Sequence, residues 1–246
     1  MATLTCLGSS SAGNCYLLSD DTETLILELG VKLSHIKQAL NFDLSKVVAS
    51  IISHCHGDHS SAVKDAIKAG IDVYMSKGTQ EALNIKSHRI TAIAHGKKFK
   101  VGNFEIMPFN TDHNCPEPLG FIIKNPSFGQ LVFITDSKLV EFTFPGTNHF
   151  LVEANFCDQI INDRQICGSL NPAQANRTVN SHMSLITCKQ LLLANDLTKV
   201  ANIILIHLSP ANSDAKRFKR EIEEATNCNV EVASKGMVRE LLTTPF

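Results

Sequence analysis

The 246-residue chain is predicted to adopt an α/β fold, on three observations. Strand, glycine turn and helix all occur before residue 42: the apolar run at residues 24–29 stops at Gly30, and Leu33, Ile36 and Leu40 then recur at helical spacing. Residues 47–52 (Val-Val-Ala-Ser-Ile-Ile) form a short apolar run of the kind shown by a strand covered on both faces. Further strands and periodic helices continue to residue 232, with no low-complexity linker and no short-period repeat.

Residues 2–7 read as the first strand, residues 8–14 (Gly-Ser-Ser-Ser-Ala-Gly-Asn) as a small polar turn, and residues 15–18 as the second strand. After the run at 47–52, a helix is expected over about 60–68, then a strand at 72–75 and a helix at 79–84. Strands follow at 90–93, 98–101, 104–109, 120–123, 131–135 and 149–153. Residues 162–180, with Gly168, Pro172 and many polar side chains, read as irregular. A helix carrying Leu185, Cys188, Leu191 and Leu192, a strand at 202–206, a helix carrying Ala215, Phe218, Ile222 and Ala225, and a strand at 229–232 complete the series. Residues 1–246 are expected to form one domain, with a division near residue 130 into two β-rich halves as the alternative.

Lys plus Arg (23) nearly balances Asp plus Glu (24), so no long-range field drives tight, non-specific binding to nucleic acid or an anionic membrane. Any nucleic-acid contact must be local. The eight cysteines are scattered without a C-x-x-C pair, which fits reduced thiols in a cytoplasm better than a disulfide framework or a zinc knuckle. Met1-Ala2-Thr3-Leu4-Thr5 lacks the basic start of a leader, and no apolar run approaches a membrane span. A cytoplasmic protein with no membrane partner is expected.

The chemistry is concentrated at Ser53-His54-Cys55-His56-Gly57-Asp58-His59-Ser60, directly after the buried strand. An H-x-H-x-D-H run arises by chance in about one such chain in a thousand, so the match is informative. Where a buried strand ends and a helix begins is also where open α/β sheets place sites. His54 and His56 can offer imidazole nitrogens to one metal while Asp58 and His59 face a second. Two divalent ions roughly 3.5–4 Å apart can share a bridging hydroxide. Further donors follow other strand ends: His113, Asp136 and His207.

Together, the H-C-H-G-D-H run, the later histidine, Ile134-Thr135-Asp136-Ser137 and Ile206-His207-Leu208-Ser209 resemble the metallo-β-lactamase-fold superfamily. That resemblance implies an αββα sandwich, two mixed sheets flanked by helices. Residues 7–15, Glu153-Ala154-Asn155, Ser181-His182-Met183-Ser184 and His207-Leu208-Ser209 with Asn212 resemble the YycJ/WalJ-like group within it. Those proteins are related to tRNase Z and regarded as nuclease-like phosphodiesterases.

The resemblance implies that His54, His56 and His113 hold one divalent metal and Asp58, His59 and His207 the other, with Asp136 bridging. His113 fits because it lies five residues before Pro118, as the family pattern requires. Asn114 and Glu28 stand where the family carries aspartates, departures that concern support of the site. Zn or Mn is the expected metal, with Fe as a third candidate. Asp58, Glu153 and His182 are the candidate catalytic residues, the last two by resemblance to groups that assist protonation of the leaving oxygen.

The expected activity is a metal-dependent hydrolase, a phosphodiesterase or nuclease acting on DNA or RNA through the bridging hydroxide. Hydrolysis of a cyclic nucleotide or other small phosphodiester is the alternative, with a thioesterase-type hydrolase behind it. An antibiotic-hydrolysing lactamase is disfavoured by Asp136, where such enzymes carry a thiolate, and a diiron oxygen-reducing protein would want a carboxylate at His56. Cys55 and Cys115 are read as spectators. Residues 9–11 are read either as a phosphate-binding serine turn or as a plain β-turn, and Lys216, Arg217, Lys219 and Arg220 as a solvated basic face.

Overall fold

The computed structural model describes residues 2–244; Met1, where the leader reading begins, lies outside them. The chain opens with β1 (Ala2–Gly8), β2 (Cys15–Ser19), β3 (Thr24–Leu27), α1 (Leu33–Ala39) and β4 (Val47–Ile51). Next come α2 (Gly57–Ser60), α3 (Val63–Lys68), β5 (Val73–Ser76), α4 (Lys77–Leu83) and β6 (Ile90–Ile93). The middle holds β7 (Phe99–Val101), β8 (Phe104–Asn110), β9 (Leu119–Asn125), β10 (Gly129–Ile134) and β11 (His149–Glu153). Then follow α5 (Asp158–Ile166), α6 (Pro172–Ser181), α7 (Leu185–Leu193), β12 (Asn202–Ile206), α8 (Ala215–Thr226), β13 (Val230–Val232) and β14 (Val238–Leu241).

Two seven-stranded mixed sheets result, ordered β14-β1-β2-β3-β4-β5-β6 and β13-β12-β11-β10-β9-β8-β7. They face each other because strands such as β1, whose residues alternate between buried and half-buried, turn one apolar face inward. Leu4, Tyr16 and Leu18 of the first sheet share one core with Phe121, Phe133 and Leu151 of the second. Outside the first sheet, Ile36 of α1 and Val63 and Ala66 of α3 pack on Leu17, Ile26 and Val73. Outside the second, Leu185 and Leu192 of α7 and Phe218 and Ile222 of α8 pack on Val132, Ile203 and Leu205. The layers therefore run αββα, as expected, and each buried Leu or Phe contributes about 1.5–3 kcal/mol.

Three expectations about the elements are corrected. Residues 162–180 are mostly helical, in α5 and α6. Ile161 is the one buried residue of α5 and only Ala175 and Ser181 are buried in α6, so neither carries the apolar stripe that marks a helix in sequence. The helix placed at 60–68 is two pieces, α2 and α3, separated by Ala62 at φ −96, ψ 6. Strand β14 was absent from the expectation because Val238-Arg239-Glu240-Leu241 buries Leu241 alone. The changeover between sheets falls between β6 and β7.

None of the helices among the described residues is long and apolar enough to cross a membrane. On α8 the basic face is internally paired, Arg217–Glu221 at 2.7 Å and Lys219–Glu223 at 3.6 Å, consistent with a solvated surface.

His149, the first residue of β11, is fully buried. Its Nδ1 lies 3.2 Å from Asn202 Nδ2. The Asn202 oxygen accepts from Asn229 Nδ2 and Arg239 Nε, so its amide N–H must donate to the ring. Burial pushes the imidazole down to about 4. Protonation is thus harder in the folded chain than in the unfolded one. Stability from this site is complete above the ordinary imidazole pKa and falls as pH drops from there through about 4. Urea unfolding at pH 7 and pH 4 should show wild type losing about 3 kcal/mol more than His149→Gln; equal losses would remove His149 as the cause.

Candidate metal centre

The site lies at carboxyl ends of strands from both sheets. His54 follows β4, Asp136 follows β10, Glu153 ends β11 and His207 follows β12. Strands β10, β11 and β12 run parallel, which brings their ends to one edge. Three strands leave their sheets through left-handed residues that carry the site's own groups: Glu28 after β3 (φ 67), Asp136 (φ 22) and His207 (φ 54). Such backbone costs of order 1–3 kcal/mol per residue and persists where the surroundings over-determine it.

The loop from His54 to Ser60 is held by main-chain bonds. Asn14 N donates to Asp58 O at 2.8 Å, Leu29 N to His59 O at 2.8 Å, and Gly30 N to Asn14 O at 2.9 Å. Gly30 is required here: a Cβ on it would stand 1.7 Å from Asp58 O.

All seven donors expected from the sequence converge. In one group, His54 Nε2 lies 3.2 Å and His113 Nε2 3.1 Å from His56 Nδ1, and Asp136 Oδ2 lies 3.7 Å from both Nε2 atoms. In the other, His59 Nε2 is 3.4 Å from Asp58 Oδ2 and 3.2 Å from Asp136 Oδ1, and His207 Nε2 is 3.3 Å from Asp58 Oδ2. Within each group the donor atoms lie within 4.8 Å of one another, and Asp136 belongs to both.

The groups around these donors orient them. His113 Nδ1 donates to Ser181 O at 2.6 Å, so Nε2 keeps its lone pair. His54 Nδ1 is bonded to Ser53 Oγ at 2.8 Å. His59 Nδ1 is 3.6 Å from Glu28 Oε2, while Glu28 Oε1 accepts Ser53 N at 3.1 Å. Glu28 thus stands beside His59, where the resemblance places an aspartate, with its Oε2 just beyond hydrogen-bond reach of the ring. Burial, as the largest influence, pushes His54, His56 and His113 below the ordinary imidazole range, and keeps the buried Glu28 carboxyl above its usual one. Burial also opposes charge on His59 and His207, but Asp136 beside them holds both imidazoles high.

This donor set fits divalent ions. A metal about 2.0–2.1 Å from each nitrogen puts neighbouring tetrahedral donors about 3.3–3.4 Å apart, within the span of separations found here. His54 and His113, whose Nδ1 atoms are engaged by Ser53 Oγ and Ser181 O and whose pKa values burial lowers, would leave Nε2 lone pairs unsatisfied beside the buried Asp136 without a cation.

Glu153 and His182 adjoin both groups. Glu153 is fully buried and accepts from four donors: Ser137 N at 2.9 Å, Met183 N at 3.0 Å, His182 Nδ1 at 2.7 Å and His207 Nδ1 at 3.0 Å. Burial would raise its carboxyl, but His182 holds it low, and Glu153 in turn raises His182 against burial. Both shifts run in the direction of a carboxylate beside a protonated ring. His182 lines the cleft beside the donors and Glu153 does not, so the carboxylate touches the cleft only through the ring.

The cleft has a volume of about 440 Å³. Sequence reasoning missed the part of its wall formed by α6, and it missed two supports. Asn155 Nδ2 donates to His207 O at 2.8 Å, and Ser9 Oγ accepts His207 N at 3.0 Å and Tyr16 Oη at 2.8 Å. Ser9 is thereby engaged inside the protein and Ser10 Oγ accepts Ala12 N; of the serine turn only Ser11 lines the cleft.

Ribonuclease J 1 of Streptococcus pyogenes serotype M3 is 26% identical over 151 residues, 53% of this chain and 26% of that protein, so the match spans about a quarter of the relative's length. The metallo-beta-lactamase fold protein YhfI from Bacillus subtilis superimposes with a TM-score of 0.72 at 17% identity, covering 97% of this chain and 98% of that one. The short form of human tRNase Z gives 0.63 at 14% identity, covering 97% and 99%. The family described as "Beta-lactamase superfamily domain" matches residues 31–208. With that match over most of the chain, the two mixed sheets between helices and the strand-end His/Asp clusters have a common explanation: the chain belongs to the beta-lactamase superfamily.

Proposed function

We propose that this chain is a dinuclear metal-dependent phosphodiesterase acting on DNA or RNA. The observation that carries this reading is the Glu153–His182 pair at 2.7 Å, an imidazole held beside the two donor groups at the cleft. Binding of the metals is assigned to His54, His56 and His113 for one ion and to Asp58, His59 and His207 for the other, with Asp136 shared. Divalent ions, Zn or Mn with Fe as third candidate, would supply charge stabilisation and a nucleophile at neutral pH when bound.

The chain's own residues do the rest. Asp58, 22% exposed and lining the cleft, orients the attacking water. With Nδ1 bonded to Glu153, His182 has Nε2 free to give a proton to the departing oxygen. Glu153 fixes the ring and stabilises its charged form, as a positioning residue. Names of two relatives, a ribonuclease and a tRNase, support nucleic acid as the substrate. The core shared by both sheets supports one domain over residues 1–246, and eight free cysteines support a cytoplasmic setting.

A small phosphodiester such as a cyclic nucleotide is the competing substrate, favoured by the modest cleft and the near-neutral charge of the chain. Assays with Mn²⁺ or Zn²⁺ on single-stranded DNA, RNA and cyclic nucleotides separate the two. Turnover of cyclic nucleotides alone would sink the nuclease reading. On the preferred substrate, His182→Asn is expected to lower kcat by about 10²–10⁴-fold with bound metal unchanged; undiminished kcat would remove His182 as the acid.

A further inference from the structure

Arg177 is the only lysine or arginine among the residues lining the cleft, and neither the metal groups nor the acid pair uses it. The other five arginines all have partners: Arg89 with Asp72, Arg164 with Asn212, Arg217 with Glu221, Arg220 with Glu224 and Arg239 with Glu231. Among the described residues, Arg177 has no ion pair and no side-chain hydrogen bond, and it is exposed. An unpaired guanidinium at the mouth of a polar cleft is matched to an anion from outside the protein.

The helix that carries it is fixed with respect to the site. Gln174, Arg177, Thr178 and Ser181 all line the cleft and follow the i, i+3, i+4, i+7 spacing of one helix face. Ala175, on the other side, packs with Phe156, Ile161 and Leu170. At the C-terminal end, Ser181 O accepts from His113 Nδ1 at 2.6 Å, Ser181 Oγ donates to Arg177 O at 2.7 Å, and His182 N donates to Thr178 O at 3.0 Å. Asn171 caps the other end, with Pro172 in the first turn. The face is therefore held at a set distance from the donor groups.

We propose that the Gln174–Arg177–Thr178 face of α6 is a subsite for a substrate phosphate that flanks the scissile one, which makes the preferred substrate a polynucleotide rather than a cyclic nucleotide. Arg177 takes two non-bridging oxygens through its planar fork, and the amide of Gln174 and hydroxyl of Thr178 are additional donors on the same face. The buried donor groups face the reacting phosphorus, whereas Arg177 stands at the exposed rim, one step outward. The assignment rests on the phosphodiesterase reading for its substrate class.

The test uses the metal-loaded full chain, fluorescein-labelled oligothymidylate as a binding probe, and bis(4-nitrophenyl) phosphate as a diester without a flanking phosphate. Arg177→Ala is expected to weaken oligothymidylate binding by about 10–100-fold, from loss of a charged hydrogen-bond pair. It should also flatten the slope of log Kd against log salt by about 0.7. Arg177→Lys should recover the salt slope but not the full affinity, because one ammonium cannot form the fork. The loss in kcat/KM should be greater on the oligonucleotide than on the small diester. Unchanged affinity and slope in Arg177→Ala, no binding by wild type, or equal losses on both substrates would each overturn the subsite. Weakened binding without hydrolysis of either substrate by wild type would overturn the phosphodiesterase reading and leave the subsite standing.

Discussion

Asp136→Ala is expected to abolish metal binding and activity together. The Asp136 side chain is 3% exposed and reaches both donor groups: Oδ1 lies 3.2 Å from His59 Nε2 and 2.9 Å from His207 Nδ1, and Oδ2 lies 3.7 Å from His54, His113 and His182. Burial alone would raise its carboxyl, but His207 and His59 hold it well below the usual carboxylate range, so its removal takes away the one carboxylate that both donor groups share. Losing a supporting group around a metal typically costs 10–100-fold in affinity or activity, and loss of a shared ligand should exceed that. Mass spectrometric metal analysis after dialysis is expected to give about two ions per chain for wild type and well under one for Asp136→Ala. His56→Ala should lose activity as well, and retain the second group's metal better than Asp136→Ala does. Full metal content and full turnover in Asp136→Ala would point instead to a binding protein in which the cluster is incidental.

Gly30→Ala should be the most damaging change of a single methyl group in the chain. The added carbon would stand 1.7 Å from Asp58 O and 2.7 Å from Asn14 N, both main-chain atoms that bond each other at 2.8 Å. Neither can move without shifting the loop that carries His54, His56, Asp58 and His59. Overpacking of this kind costs about 1–3 kcal/mol where neighbours yield, and here the neighbours are backbone, so the upper end or beyond is expected. Gly57→Ala is the control, since a Cβ there meets nothing within 4 Å. It lies in the first turn of α2 and should be neutral or slightly stabilising. Thermal unfolding and metal content measured side by side decide the matter; similar melting of the two variants would refute the close approach.

The donor cluster was readable in the sequence because His54, Asp136 and His207 come just after apolar runs whose burial follows from composition. Residues 47–52 had to lie inside, so His54 had to emerge at an edge, and the same logic located Asp136 and His207. What the pattern could not give was anything held by polar contacts alone. The α5–α6 region lacks apolar periodicity because α6 turns Gln174, Arg177 and Thr178 toward the cleft, and an open polar face looks like a loop in sequence. A usable signal was present in Asn171-Pro172, a capping residue followed by proline. Glu28 was legible only as a departure from a family pattern; its left-handed backbone and its reach to Ser53 N and His59 come from tertiary placement. The sequence left residues 9–11 open between a phosphate-binding turn and a plain β-turn, and the Ser9 hydroxyl is occupied by Tyr16 and His207.

The pairing of β14 with β1, which sets Leu241 opposite Ala2, has a consequence for how the molecule comes into being. The first sheet begins with the earliest residues of the chain and is closed at its edge by some of the latest. Contacts so distant in sequence require the costliest loop closure and form slowly. During synthesis, β1 must wait with an open edge until residue 241 has emerged, and unpaired edges of this kind invite association with other chains. A strand that the sequence did not disclose is thus the one that covers the β1 edge.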